Sequence, residues 1–378
     1  MTTTVEKVDV TVSTPVPSPQ VDPAALLPER EPFQVLGTAK AADIDDELLR
    51  TLYRDVVRGR RYNLQATALA KQGRLAVYPS TTGQEACEVA AARALSPQDW
   101  LFPTYRDTLA AIVRGVDPVE ALAVMRGDWH HGYDPYAHRV APLTTPLATQ
   151  LPHAVGLARA ARLKGEDTVA LAMVGDGGTS EGDFYEAVNF AAVMRAPVVF
   201  LVQNNRFAIS VPLAKQSAAL ALADKAVGFG LPGRLVDGND VVAVHQVLAE
   251  AVERARHGDG PTLVEAMTYR IDPHTNSDDD SRYRDPSEVD RWRGHDPVLV
   301  LERSLRDMGV LDDADVEAAA RSADDFAADL RERHDHPPSP DPMTLFSHVF
   351  ANKTPQLSEQ EAMVRAELQA QAEGDGQL

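Results

Sequence analysis

Asp176, set in Gly175-Asp176-Gly177-Gly178, and the Asn205 side chain of the pair Asn204-Asn205 supply two of the hard oxygen ligands that magnesium prefers. Such an ion keeps octahedral geometry and completes its shell with water and phosphate oxygens. The backbone carbonyl of Phe207, two residues beyond Asn205, offers a third protein oxygen where the chain leaves its element. Gly177 and Gly178 put no side chain between backbone N–H groups and a bound phosphate. Thr179 or Ser180, with Asp183 shortly after, reads as the N-cap of a following helix, whose N-terminus would face the same anion. Together these types describe a cradle for a magnesium diphosphate.

Two short apolar runs, 168–174 and 197–203, must position these groups. Each has the length and branching of a buried parallel strand, and 184–194 between them has helical spacing. A lone Gly-Asp-Gly is commonly no more than a tight strand-to-helix turn. Here the interval from Asp176 to Asn205 matches one βαβ crossover, so both groups arrive at the carboxyl edge of a sheet, where open α/β folds bind ligands. Further elements extend the pattern. A long amphipathic helix is expected over 43–71, carrying Leu48, Leu49, Leu52, Tyr53, Val56 and Val57, with Gly73 to end it. Shorter helices are expected at 84–95, 106–114 and 118–126, the last started by Asp117-Pro118, and another at 147–164. Strands are expected at 234–236 and 262–267, with a helix over 241–256 capped by Asp240 between them. Strands alternating with helices predict an α/β fold: a doubly wound, mostly parallel sheet with helices on both faces.

Three regions are expected: a flexible N-terminal arm over 1–37, rich in Thr, Val, Pro and Ser; a single α/β domain over 38–345; and a polar, helical C-terminal tail over 346–378. No internal repeat is evident.

With 378 residues, 44% of them hydrophobic, the chain can bury one large core or two modest ones. A formal charge of −19 with no basic block argues against nucleic acid and against anionic membranes. Cys87 is the sole cysteine, which excludes an intrachain disulfide. No apolar stretch approaches the roughly 20 residues that span a bilayer, and no signal-like h-region opens the chain. The expectation is a cytoplasmic location.

Over about 52–301 the chain resembles the α subunit of the thiamine diphosphate-dependent 2-oxo acid dehydrogenase component, most closely the branched-chain type. Besides the Gly-Asp-Gly and Asn-Asn pair, the resemblance rests on Lys71-Gln72-Gly73-Arg74, Gly83-Gln84-Glu85-Ala86, Tyr105-Arg106, Pro146 to Gln150, Asn189-Phe190-Ala191-Ala192 and Ala208-Ile209-Ser210. It continues in Val236-Asp237-Gly238-Asn239-Asp240, Glu265 to Arg270 and the stretch 274–284. It implies that Asp176, Asn205 and the Phe207 carbonyl bind magnesium, and that Tyr105, Arg106, Thr145, Gly177, Gly178, Gln203 and His274 surround thiamine diphosphate. Leu147 matches the apolar residue at the bend between the cofactor's rings. The resemblance places a potassium ion near Thr144, Pro146, Thr149 and Gln150, with Thr144-Thr145 standing where serines are common. Arg106 also fits on its own chemistry, because a guanidinium forks onto phosphate oxygens. His274 lies in a polar loop unlike a core segment, where a histidine can titrate near neutral pH and serve catalysis.

The implied reaction is oxidative decarboxylation of a 2-oxo acid with reductive acyl transfer to a lipoyl group of an acyltransferase core. The glutamate that activates the cofactor in this family belongs to a separate β subunit, which implies an α2β2 assembly. Pyruvate-type chains often carry a histidine shortly before Gly-Gln-Glu, where this sequence has Tyr78-Pro79-Ser80-Thr81-Thr82, so branched-chain substrates are favoured over pyruvate. A non-catalytic assembly subunit is the alternative from another class. A nicotinamide-dependent dehydrogenase lacks its Gly-x-Gly-x-x-Gly turn in strand context.

Overall fold

The computed structural model describes residues 22–127, 132–335 and 341–375. They form two compact units, divided between Arg331 and Glu332. This division falls inside the helix Asp313–His334, earlier than the sequence suggested.

The first unit holds strands β1 (Trp100–Phe102), β2 (Ala170–Gly175), β3 (Val198–Asn204), β4 (Phe207–Ala208), β5 (Val211–Pro212), β6 (Gly233–Asp237) and β7 (Thr262–Met267). Five of them make one parallel sheet in the order β1-β2-β3-β7-β6, while β4 and β5 form a small antiparallel ribbon. A parallel strand covered on both sides reads as a continuous apolar run, and its period of two sends alternate side chains to opposite faces. Leu171, Met173, Val199, Leu201 and Val264 join one core, with helices Asp46–Lys71, Glu85–Arg93 and Val241–Arg256. Ala170, Ala172, Val174, Val198, Phe200 and Val202 join the other, with helices Gln150–Lys164 and Gly182–Met194. The doubly wound expectation holds.

Asp45 starts the long helix by accepting from the Leu48 N–H. Leu49, Leu52 and Val56 face inward and are fully buried, each contributing about 1.5–3 kcal/mol. At Gly59 the helix meets the following layer so closely that an added Cβ would lie 2.4 Å from Leu109 Cδ2. Asp240 caps its helix through Ala243 N–H at 2.9 Å, and its other oxygen accepts from the N–H groups of Val35 and Leu36. These contacts, with the Phe33–Leu235 backbone bond, fix residues 33–36 against β6. That stretch of the expected arm is therefore docked; residues 1–21 lie outside the described residues.

Two local expectations are corrected. The 118–126 helix is two short turns, Pro118–Ala121 and Ala123–Arg126. Residues Gly177–Ser180 form a 3-10 turn, and the helix behind them starts after Glu181 without a side-chain cap. Thr179 instead donates to the Asp176 carbonyl at 2.8 Å and Ser180 to Gln216 Oε1 at 2.9 Å, and Glu181, which follows them both, holds the cap position, so neither hydroxyl stands at the helix start.

In the second unit, the turn Pro342–Phe346 is followed by the helix Pro355–Asp375.

Candidate active site

Parallel pairing sets Gly175 beside Gln203 and Gln203 beside Ala266, so β2, β3 and β7 end level. Asp176 and Asn205 leave neighbouring strand tips and border one cavity of ≈ 440 Å³.

Asp176 is 1% exposed and its Oδ2 accepts from Gln216 Nε2 at 3.2 Å. Burial pushes its carboxyl up to about 6, against the lowering effects of the Gln216 bond, backbone hydrogen bonds and the Arg270 charge. Ionising this group without a nearby cation is costly, and a metal ion would remove that cost. The two glycines leave no room for side chains. A Cβ at Gly177 would sit 2.8 Å from Ala208 Cβ, and one at Gly178 would sit 2.4 Å from Val174 Cγ2.

The adjacent asparagines differ in role. Asn204 turns its Nδ2 to Glu265 at 2.6 Å on the far side of the strand. Asn205 gives its Nδ2 to Gln84 Oε1 at 2.8 Å, which leaves Oδ1 as the acceptor end, bonded at 3.2 Å by the Phe207 N–H. Arg206 and Ile209 have φ of 73° and 55°, so the chain doubles back at once and Phe207 returns to the cavity wall. The Phe207 carbonyl receives Arg270 Nη1 at 3.4 Å.

Arg106 is buried and spans two loops. It donates to Ser80 O at 2.6 Å and His274 O at 3.2 Å, while Nη2 lies 3.1 Å from His274 Nδ1. A guanidinium can only donate, so Nδ1 is the acceptor and the imidazole proton belongs on Nε2. Burial, then the charges of Arg106 and Arg270, depress His274 to about 3. A histidine held near 3 departs from the expected near-neutral titration and would offer its Nε2–H as a donor at ordinary pH. Tyr105 packs edge-on against it, ring centroids 6.2 Å apart.

Gln203 gives Nε2 to Asp107 at 2.7 Å and Gln150 gives Nε2 to Met173 O at 2.6 Å. The Oε1 atoms of both are buried without a protein partner. Leu147, 44% exposed, stands on the cavity wall beside Ala148, whose φ is 64°. Of the residues selected from sequence, Tyr105, Arg106, Thr144, Leu147, Gln150, Asp176, Gly177, Gly178, Gln203, Asn205, Phe207 and His274 border the cavity. Thr145, Pro146 and Thr149 do not; Thr149 instead donates to Asp183 at 3.3 Å.

Sequence reasoning passed over Gln84, Lys215, Gln216 and Arg270, which also line the wall. Gln84 and Arg270 lay inside recognised segments, so their positions carried a signal and their roles did not. Lys215 and Gln216, in the short helix Leu213–Gln216, carried none.

Among the described residues no cluster of three or more His, Cys, Asp or Glu is placed to hold a metal. A cation here would draw on one carboxylate, one amide, one carbonyl and the ligand's own oxygens, a set that suits magnesium diphosphate better than an all-protein cage. Two buried guanidiniums and a neutral imidazole make the pocket receptive to anions despite the acidic chain. Among the described residues no helix is long and apolar enough to cross a membrane.

Comparison with known sequences agrees with this geometry. The sequence model of a family described as "Dehydrogenase E1 component" matches residues 53–342. The chain is 45% identical over 346 residues to the 3-methyl-2-oxobutanoate dehydrogenase subunit alpha of Mycobacterium tuberculosis, covering 89% of this chain and 94% of that one. It is 40% identical over 292 residues to the pyruvate dehydrogenase E1 component subunit alpha of Staphylococcus aureus, covering 77% and 79%.

Proposed function

The chain belongs to the dehydrogenase E1 component family, and on that premise we propose that it is the α subunit of a branched-chain 2-oxo acid dehydrogenase. It acts in the oxidative decarboxylation of branched-chain 2-oxo acids and the reductive transfer of the acyl group to a lipoyl group. The observation that carries this reading is the convergence of Asp176, Asn205, the two glycines, Arg106 and His274 on one cavity, in a chain so similar to a 3-methyl-2-oxobutanoate dehydrogenase subunit.

The residues present fit magnesium and thiamine diphosphate. Asp176, Asn205 Oδ1 and the Phe207 carbonyl would hold the metal, while Gly177, Gly178 and Arg106 would receive the diphosphate. Bound thiamine diphosphate supplies the nucleophilic carbon and the electron sink for loss of carbon dioxide. This chain's part is to bind and orient. Asp176, ionised above about pH 6, would offer its carboxylate to the metal. Arg106 donates to the His274 loop through both terminal nitrogens. His274 presents an N–H rather than a positive charge, and so acts as the catalytic hydrogen-bond donor at the mouth. Leu147 and Tyr105 give the wall its apolar and aromatic surface, and Thr145 is assigned to the cofactor's surroundings on the resemblance alone. A potassium site is supported by the unpartnered Oε1 of Gln150, with Thr144, Pro146 and Thr149 as its further ligands.

A subunit called alpha implies a β partner, and we propose an α2β2 heterotetramer in which the β chain supplies the glutamate that touches the cofactor. A lipoyl-bearing acyltransferase core accepts the product, and the site of action is cytoplasmic. Pyruvate is the second reading, supported by the 40% identity to a pyruvate dehydrogenase subunit. One methylene in an apolar pocket changes specificity by only about 1–3 kcal/mol, so overlap is expected. A non-catalytic assembly role is disfavoured by an intact metal-ligand set. Chain reconstituted with its β subunit and assayed on pyruvate and on the 2-oxo acids of Val, Leu and Ile is expected to prefer the branched substrates. A higher kcat/KM for pyruvate would reverse the assignment, and turnover by the chain alone would refute the need for a β subunit.

A further inference from the structure

Gln203 borders the cavity but reaches back for its support. Its Nε2 donates to Asp107 Oδ1 at 2.7 Å, and the other oxygen of that carboxylate accepts from the Thr104 N–H, also at 2.7 Å. Asp107 is fully buried and Gln203 is 4% exposed, and Gln203 Oε1 has no protein partner. A carboxamide can be turned end for end in most environments. Here it cannot, because a carboxylate with both oxygens engaged by donors accepts only the N–H end. Gly175, paired with Gln203 in the sheet and without a side chain, leaves space beside that amide at the strand tip.

We infer that Asp107 is a positioning residue: it locks the Gln203 carboxamide so that Oε1 is reserved as an acceptor for a donor of the bound metal diphosphate. The class of donor is a water held by the metal, since magnesium retains water in such sites. The inference rests on the cofactor reading proposed above. The same carboxylate, through Thr104, closes the turn carrying Tyr105 and Arg106, so one buried acid sets two parts of the wall. Glu88 faces Asp107 from the neighbouring helix; burial and Asp107 itself push Glu88 well above the carboxylate range. Burial raises Asp107 too, against the bonds from Thr104 and Gln203 and the Arg106 charge, while both of its oxygens accept from N–H donors.

Exchanging donor and acceptor along the pair tests the idea. In Asp107→Asn the single remaining oxygen must serve the Thr104 N–H, because the backbone cannot turn over, and the new Nδ2 then forces Gln203 to present its N–H end to the ligand. Gln203→Glu alone sets two carboxylates in contact, a pair that takes up a proton. The double variant D107N/Q203E keeps the net charge and restores an acceptor at the strand tip. The readout is the Kd of magnesium thiamine diphosphate for the chain in complex with its β subunit, by calorimetry, with melting temperatures recorded in parallel. D107N is expected to weaken binding roughly tenfold, the cost of a misdirected buried hydrogen bond. Q203E is expected to weaken it as well, and the double variant to return to within about threefold of the parent. D107N binding within twofold of the parent, or a double variant no tighter than D107N, would overturn the inference while leaving the cofactor reading intact. Absence of binding by the parent complex would overturn both.

Discussion

Replacing Asp176 by Asn should stabilise the cofactor-free protein while destroying its metal site. The carboxyl is 1% exposed and its proton affinity is raised from 3.8 to about 6. For an acid whose folded pKa is raised, the folded state disfavours ionisation. Wild-type stability is therefore undiminished below about pH 3.8, where both states are protonated, and falls as pH rises to about 6, above which the full penalty applies. A shift of this size corresponds to roughly 3 kcal/mol at 1.36 kcal/mol per unit. Asn keeps an oxygen for Gln216 Nε2 and never ionises, so it escapes the penalty. With an unfolding entropy of about 2.1 cal/mol/K per residue, a cooperative unit the size of this chain would melt roughly 4 °C higher. Thermal melts of both proteins in chelator across pH 4 to 8 would measure this. The advantage of the variant should be near zero at pH 4 and complete by pH 7. Added magnesium and thiamine diphosphate should raise only the wild type. A variant less stable than wild type at pH 7.5 without cofactor, or a difference that ignores pH, would refute the reasoning.

Other consequences follow from single contacts. His274, depressed to about 3, is expected to stay neutral from pH 5 to 8 in the cofactor-free protein, with its proton on Nε2. NMR of ring-labelled histidine would show a flat shift there, and a midpoint near 6.5 would contradict the Arg106 contact. Because the unfolded imidazole protonates near 6.5, His274 also costs stability progressively as pH falls from there toward 3. Gly178→Ala drives a methyl to 2.4 Å from Val174 Cγ2, and should cost about 1–3 kcal/mol in denaturant titration as well as weakening cofactor binding. Arg284 is buried, pairs with Asp280 and donates to the carbonyls of Arg270 and Ile271. Arg284→Ala should cost about 3 kcal/mol and speed hydrogen exchange around His274; unchanged exchange would show that the loop is held elsewhere.

What could be read from sequence divides along the range of the forces involved. β2, β3, β7 and the Asp240-capped helix were legible within a residue or two, because apolar runs and a cap are local signals. β1 has three residues and β4 and β5 two each, too short to carry a period. Thr179 and Ser180 looked like caps because their types suit that role, while the turn they occupy delays the helix start past Glu181 and Ser180 finds its partner 36 residues away in Gln216. Asp176, Asn205 and Phe207 were legible because their chemistry stands at strand ends. Gln84, which turns Asn205 the right way, is 121 residues from it, and Arg106, whose guanidinium faces His274 Nδ1, is 168 residues from that histidine. Such pairings are set by the sheet, and no spacing along the chain encodes them.

The most direct measurement replaces magnesium by manganese in crystals of the chain with its β subunit and thiamine diphosphate, and locates the ion by anomalous scattering. One peak per α chain is expected, bonded to Asp176, Asn205 Oδ1 and the Phe207 carbonyl, and absent from Asp176→Ala crystals. A peak away from these three oxygens, or one that survives the substitution, would contradict the account.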